Sequence, residues 1–210
     1  MSIEIKAQIQ AEEFKQLHEH MRAFESGMLN TFGVTVVSYT TLMAAIFGVF
    51  FQTYATDPRK LTTPFCYLFL APGILVAAAF SLINAYRSNM YRLGYYSMVF
   101  FEERFGGAGW ETRLAAFRRS TRGGESGDPM ANVLWALMCV SAGLFVFALV
   151  LVQAGHLWQL AAPAPLVLFM LLQHWAFVGR RKAMEQKWRN IRISDDVHPL
   201  GAAENRTSLS

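Results

Sequence analysis

Four stretches of this chain, near residues 31–53, 65–85, 131–153 and 158–178, contain no Lys, Arg, Asp or Glu. Each is long enough to cross a hydrocarbon core of about 30 Å, which takes roughly 20 helical residues. Segments within them such as AAIFGVFF and GLFVFALVLV are continuously apolar. In lipid, backbone N–H and C=O groups have no water to bond, so a segment of this kind must pair them internally as a helix. A transmembrane β-barrel would instead alternate apolar and polar residues over strands of about ten positions. Composition agrees, with 53% of the 210 residues hydrophobic and only 16% charged, too apolar for a soluble domain of that length. The expected fold is all-α: a polytopic membrane protein with four transmembrane helices.

Basic residues set the expected orientation. The segment before the first span carries three Lys and Arg, the 54–64 loop two, the 86–130 segment seven, the 154–157 turn none, and the tail after the fourth span seven. Alternate segments therefore hold 17 against 2, which places both termini and the central segment on the cytoplasmic side. Met1 to Glu25 is polar rather than a basic start followed by an apolar core, so the first span is expected to be retained and not cleaved. The net charge of +4 is then topological, and no nucleic-acid partner is expected. The reading is a multi-pass protein of a bacterial cell (inner) membrane.

Outside the spans, apolar residues recur with helical spacing. Phe14, Leu17, Met21, Phe24 and Met28 fall at steps of three and four, the stripe of a helix that packs on another helix. A second stripe, Ile83, Tyr86, Met90, Leu93, Tyr96 and Phe100, predicts that span two continues as a helix to about Arg104. Phe177, Met184, Trp188 and Ile191 form a third, after span four. The predicted plan is a cytoplasmic amphipathic helix (1–30), spans at 31–53 and 65–85 around an external loop (54–64), and a cytoplasmic helical segment (86–130). Spans at 131–153 and 158–178 around an external turn (154–157), a cytoplasmic helix (179–194) and a disordered tail (195–210) complete it. The helical extensions are expected to form a small cytoplasmic bundle. The Gly-rich 106–109 stretch is expected to end the long helix, and Trp110, Leu114 and Phe117 to mark a short amphipathic one.

Within the spans, Ala44 and Gly48, and Gly73, Ala77 and Ser81, stand at intervals of four, a spacing that lets helix backbones approach closely. These residues are candidates for helix packing within or between subunits. Pro72-Gly73, and Pro163 with Pro165, are expected to bend spans two and four. Thr35, Ser38, Thr41, Asn84 and His174 are the candidate polar lining of a path, although Thr and Ser also bond back to their own helix. Thr40 and Ser81 share that character.

Catalytic signatures are missing from the sequence, which has no phosphate loop, HExxH, CxxC or nucleophile elbow. His18 and His20 are two apart, so on a helix they point about 160° from each other and cannot share a metal ion. His174 lacks a second intramembrane histidine for haem ligation, and no cofactor or metal is expected. Cys66 and Cys139 lie at different depths and are not expected to pair. Glu102, Glu103 and Glu111 are read as members of ion pairs with nearby arginines.

These features lead to the expectation of a small self-associating, non-enzymatic membrane protein. It would be a pore-forming, channel-like or membrane-perturbing effector controlled by its cytoplasmic helices. The expected partners are the lipid bilayer, further copies of the chain, and a cytoplasmic protein or small ligand. Two alternatives are a membrane-anchored adaptor or assembly subunit, and a lipid-active enzyme using Glu102, Glu103 or Glu111.

Overall fold

The computed structural model describes residues 3–102, 128–152 and 157–197. Every regular element among them is helical. Helix α1 runs unbroken over Ile3–Thr56, about 80 Å at 1.5 Å per residue. After a 3₁₀ turn at Pro58–Lys60 comes a short helix α2, Thr63–Tyr67, then a 3₁₀ turn at Leu68–Leu70 and helix α3, Ala71–Ser97, which closes in a π-helical turn at Met98–Glu102. Helix α4 covers Pro129–Leu151, and a 3₁₀ segment at Leu157–Ala161 precedes α5, Ala164–Val197. Four helical stretches, Ala11–Thr56, Thr63–Phe101, Pro129–Leu151 and Gln159–Ile193, are long and apolar enough to cross a membrane. Helix α5 continues to Val197, so positions 195–197, expected to open a disordered tail, are helical. The Gly-rich stretch and the short helix expected around Trp110 lie outside the described residues.

Proline chemistry explains where the elements break. Pro72 has no N–H to give the Leu68 carbonyl, and the N–H of Ala71 bonds that carbonyl instead, tightening the chain into a 3₁₀ turn just before the proline. The irregularity expected at Pro72-Gly73 thus takes a defined form. Span four differs from the expectation. Pro163 and Pro165 do not bend a continuous helix but start one, with the N–H groups of Leu166 and Val167 bonding the Pro163 carbonyl at 3.1 and 3.2 Å. A proline in the first turn needs no N–H partner. Helix α4 is capped by Asp128, whose carboxylate accepts the Met130 N–H at 3.1 Å, with Pro129 next to it; an acceptor at that position satisfies a donor the helix leaves unpaired.

The chain divides into two compact units. Unit 2 comprises Ser26–Tyr86 together with α4 and the chain up to Ala176. Its core takes Tyr39, Met43, Ile46 and Phe50 from α1, with Met28 and Phe32 packed against them. Val76, Ala77, Phe80 and Ile83 join from α3, Leu134, Met138, Phe145 and Ala148 from α4, and Met170 from α5. The α1 residues recur every three or four positions, so one face of that helix turns inward. Large apolar residues also point outward, among them Val37, Phe51, Val150, Leu172 and Trp175, as they do where lipid replaces water as the solvent.

Unit 1 is built from α1 up to Glu25, α3 from Arg87 onward and α5 from Phe177 onward. Tyr95, Met98 and Val99 form its centre, with Tyr91, Phe100, Met184 and Trp188 packed around them. This centre lies off the apolar face expected from Met90, Leu93, Tyr96 and Phe100, which are half-buried. The reason is that α3 carries helices on more than one side, so residues beside the stripe are covered too. Helices α1, α3 and α5 each contribute residues to both units.

Candidate functional site

Aromatic rings cluster in unit 1. Tyr96 lies at the middle of that set, its ring centroid 4.9 Å from Phe100, 5.9 Å from Phe101 and 5.1 Å from Trp188. Phe14 of α1 meets Phe101 at 5.5 Å and His18 at 4.2 Å. Polar atoms at the ring edges tie the three helices together. The Tyr96 hydroxyl donates to the Glu13 carboxylate, Trp188 Nε1 donates to the Arg92 carbonyl at 3.1 Å, and Arg192 Nη1 to the Val99 carbonyl at 3.0 Å. Val99 sits in the π-helical turn, a local widening of the helix that recurs at functional positions. Burial, then the hydrogen bond and negative charge of Glu13, push the Tyr96 phenol up to about 12. His18 Nδ1 lies 3.1 Å from the Phe14 carbonyl. No group of three metal-ligating side chains occurs among the described residues.

Of the predicted coupling stripe, Leu17 is buried, Met21, Phe24 and Met28 are half-buried, and Phe14 is partly exposed beside His18 and Phe101. Tyr86 belongs to unit 2, where its ring comes within 3.1–3.4 Å of the place a Cβ on Gly27 would occupy. Glu13, Arg192 and Trp188 Nε1 are contacts that the apolar periodicity does not reveal. For these the only signal in the sequence is a polar atom next to a stripe.

In unit 2 the candidate lining residues do not share one surface. Thr35 and Asn84 are buried, Ser38 and His174 half-buried, and Thr41 exposed. Most of the hydroxyls are spent within α1: Thr31 bonds the Gly27 carbonyl at 2.8 Å, Thr35 that of Thr31 at 2.6 Å, and Thr41 that of Val37 at 2.9 Å. Tyr39 makes a polar contact that crosses between helices. The Tyr39 hydroxyl donates to the Leu137 carbonyl at 3.0 Å and accepts from Ser141 Oγ at 3.2 Å. Asn84 is 3% exposed, and neither its amide nitrogen nor its oxygen has a partner. Cys66 and Cys139 are both free.

The small residues separate by surroundings. Gly73 and Ala77 are buried and Ser81 half-buried, and a Cβ on Gly73 would lie 3.4 Å from Met138 Sδ and 3.5 Å from both Leu166 Cδ1 and Ser141 Cβ. Ala44 and Gly48 face outward, and the space beside Gly48 is open to 4 Å. No known protein family, curated protein or solved structure matches this chain. Any reading of function therefore rests on the contacts just described.

Proposed function

We propose that the protein is a self-associating, non-enzymatic membrane protein, in which the unit 1 bundle controls whether the spans open a pore or perturb the bilayer. The observation that carries this reading is the contrast between the two small-residue pairs. Gly73 and Ala77 are used in packing the chain on itself, whereas Ala44 and Gly48 leave a smooth strip on the outside of α1. In lipid, helices gain nothing from hiding apolar surface from one another, and close approach over small residues is a main source of association. Three helices pass uninterrupted from the aromatic bundle into membrane-length apolar stretches. That continuity suits control of the spans by a ligand or protein bound to the bundle. In this reading unit 1 and both termini are cytoplasmic and the membrane is a bacterial inner membrane, as the 17-to-2 distribution of Lys and Arg favours.

Native mass spectrometry of the protein in lipid nanodiscs, paired with dye release from liposomes, tests the proposal. A discrete homo-oligomer and release that depends on protein are expected. A monomer at every concentration would refute it. A second reading, a membrane-anchored adaptor, is favoured by a shallow depression on α5 lined by Ala183, Gln186, Lys187, Asn190 and Ile191; it predicts a stoichiometric partner and no release. For the lipid-active enzyme, Glu103 and Glu111 lie outside the described residues and Glu102 ends the π-helical turn.

A further inference from the structure

Gly73, Ala77, Phe80 and Asn84 fall at steps of four, three and four on α3, so they share one face of that helix. Where it can be followed, this face packs on α4. A Cβ on Gly73 would meet Met138 and Ser141, and the Phe80 ring stands edge-on to Trp135 with 5.9 Å between centroids. Going forward along α3 from Gly73 to Phe80 thus goes back along α4. The next step brings Asn84 level with the first turn of α4, where Ala131 is buried in the same core. Asn84 is 3% exposed, and among the described residues neither polar atom of its amide has a partner. Near Gly73 the seam between the two helices is satisfied, because Ser141 Oγ donates to the Tyr39 hydroxyl at 3.2 Å. At Asn84 it is not.

Burying one polar group without a partner shifts a conformational equilibrium by about tenfold, and leucine at this position would avoid the cost twice over. An arrangement of the helices that gives the amide water is favoured by the same factor. We propose that the seam between α3 and α4 parts at the Asn84 end and admits water to the amide, forming the mouth of the path that unit 2 opens. Place along the helix supports this. The charge-free run ends one residue after Asn84, and Arg87 stands three positions on, about 4.5 Å along the axis, so interfacial water is close. Helix α3 leaves unit 2 after Tyr86, and the ends of packed units open at the lowest free energy. As a mouth, the opening rests on the pore reading; as a movement of two helices, it does not.

The test measures how fast a water-soluble maleimide modifies Asn84→Cys in lipid nanodiscs, on a chain also carrying Cys66→Ala and Cys139→Ala. A thiol reacts as its thiolate, which an apolar core suppresses, so the rate reports how much of the time the position is hydrated. Ala79→Cys is the reference, at a position also buried but about 140° around α3 from Asn84. Asn84→Cys is expected to react about tenfold faster or more. Equal rates overturn the proposal. In dye release from liposomes, Asn84→Leu should slow release about tenfold, since the closed seam then buries no unpartnered amide. Asn84→Asp should speed release, because an ionised carboxylate is harder to bury than an amide. Release unchanged by both substitutions overturns the proposal, and Asn84→Asp decides alone if Asn84→Leu fails to fold. Absence of release from wild type, with Asn84→Cys still outpacing the reference, would refute the pore reading and leave the opening standing. Normal release with equal labelling rates refutes the opening alone.

Discussion

Replacing Gly48 and Gly73 with leucine should produce opposite outcomes, because the two positions carry the same residue in different surroundings. At Gly73 a Cβ already meets Met138, Leu166 and Ser141 at 3.4–3.5 Å, so alanine fits but the three further carbons of leucine enter occupied space. Overpacking of that kind costs about 1–3 kcal/mol. For a chain of this size it corresponds to a fall of roughly 2–12 °C in melting temperature. At Gly48 nothing lies within 4 Å, and leucine is the better helix former by somewhat less than about 1 kcal/mol. The monomer should keep or slightly raise its melting temperature, while contact between copies over Ala44 and Gly48 is blocked. A loss of about 1.4 kcal/mol there shifts the dissociation constant tenfold. Thermal unfolding followed by tryptophan fluorescence gives the first quantity and native mass in nanodiscs the second. The reasoning fails if Gly48→Leu lowers the melting temperature as far as Gly73→Leu, or if it leaves the oligomer intact.

Asn84→Leu should stabilise the protein, since it removes two unpartnered buried polar groups that each cost about 1–3 kcal/mol; a lowered melting temperature would mean that the amide has a partner in the membrane. Tyr39→Phe removes a hydrogen-bonded link between α1 and α4 and should cost about 0.6 kcal/mol, a typical value for such bonds between spans, read as a small fall in melting temperature. The Tyr96 phenol is raised from 10.0 to about 12. The folded state therefore favours its neutral form, and this contribution is fully present below pH 10 and lost as the pH rises toward 12. Absorbance at the tyrosinate wavelength should show a late-titrating component that Tyr96→Phe reduces by one tyrosine and Glu13→Gln shifts to lower pH.

Much of the architecture is legible because charge is so costly in lipid. Runs without Lys, Arg, Asp or Glu overlap the four helical stretches that are long and apolar enough to cross a membrane. Helix breaks are less legible. A proline inside an apolar run bends a helix when neighbouring groups satisfy the freed carbonyl and starts one when they do not, and the sequence is the same in both cases. Before Pro72 the Leu68 carbonyl takes the Ala71 N–H, in a 3₁₀ turn that leads into α3. Pro163 starts a helix, its own carbonyl accepting the first bonds of α5. The centre of unit 1 was displaced from the expected stripe for a related reason. Periodicity finds one covered face, but α3 receives partners on more than one, so Tyr95, Met98 and Val99, which share a face turned away from the stripe, are buried as well.

For the candidate site the limit is different in kind. Spacing of small residues reports that two backbones can approach, and this condition is met equally by Ala44 with Gly48 and by Gly73 with Ala77. Which pair serves the interior depends on what stands opposite, and those neighbours, Met138, Ser141 and Leu166, come from parts of the chain far away in sequence. Hydroxyls behave the same way. Thr31, Thr35 and Thr41 bond their own helix, whereas Tyr39, which no pore pattern selects, reaches Leu137 and Ser141. A polar residue in a span therefore carries functional information only once its partner is known. By that measure Asn84, buried with both amide atoms unpartnered, is the position in the second apolar stretch whose substitution separates a packed core from a polar path.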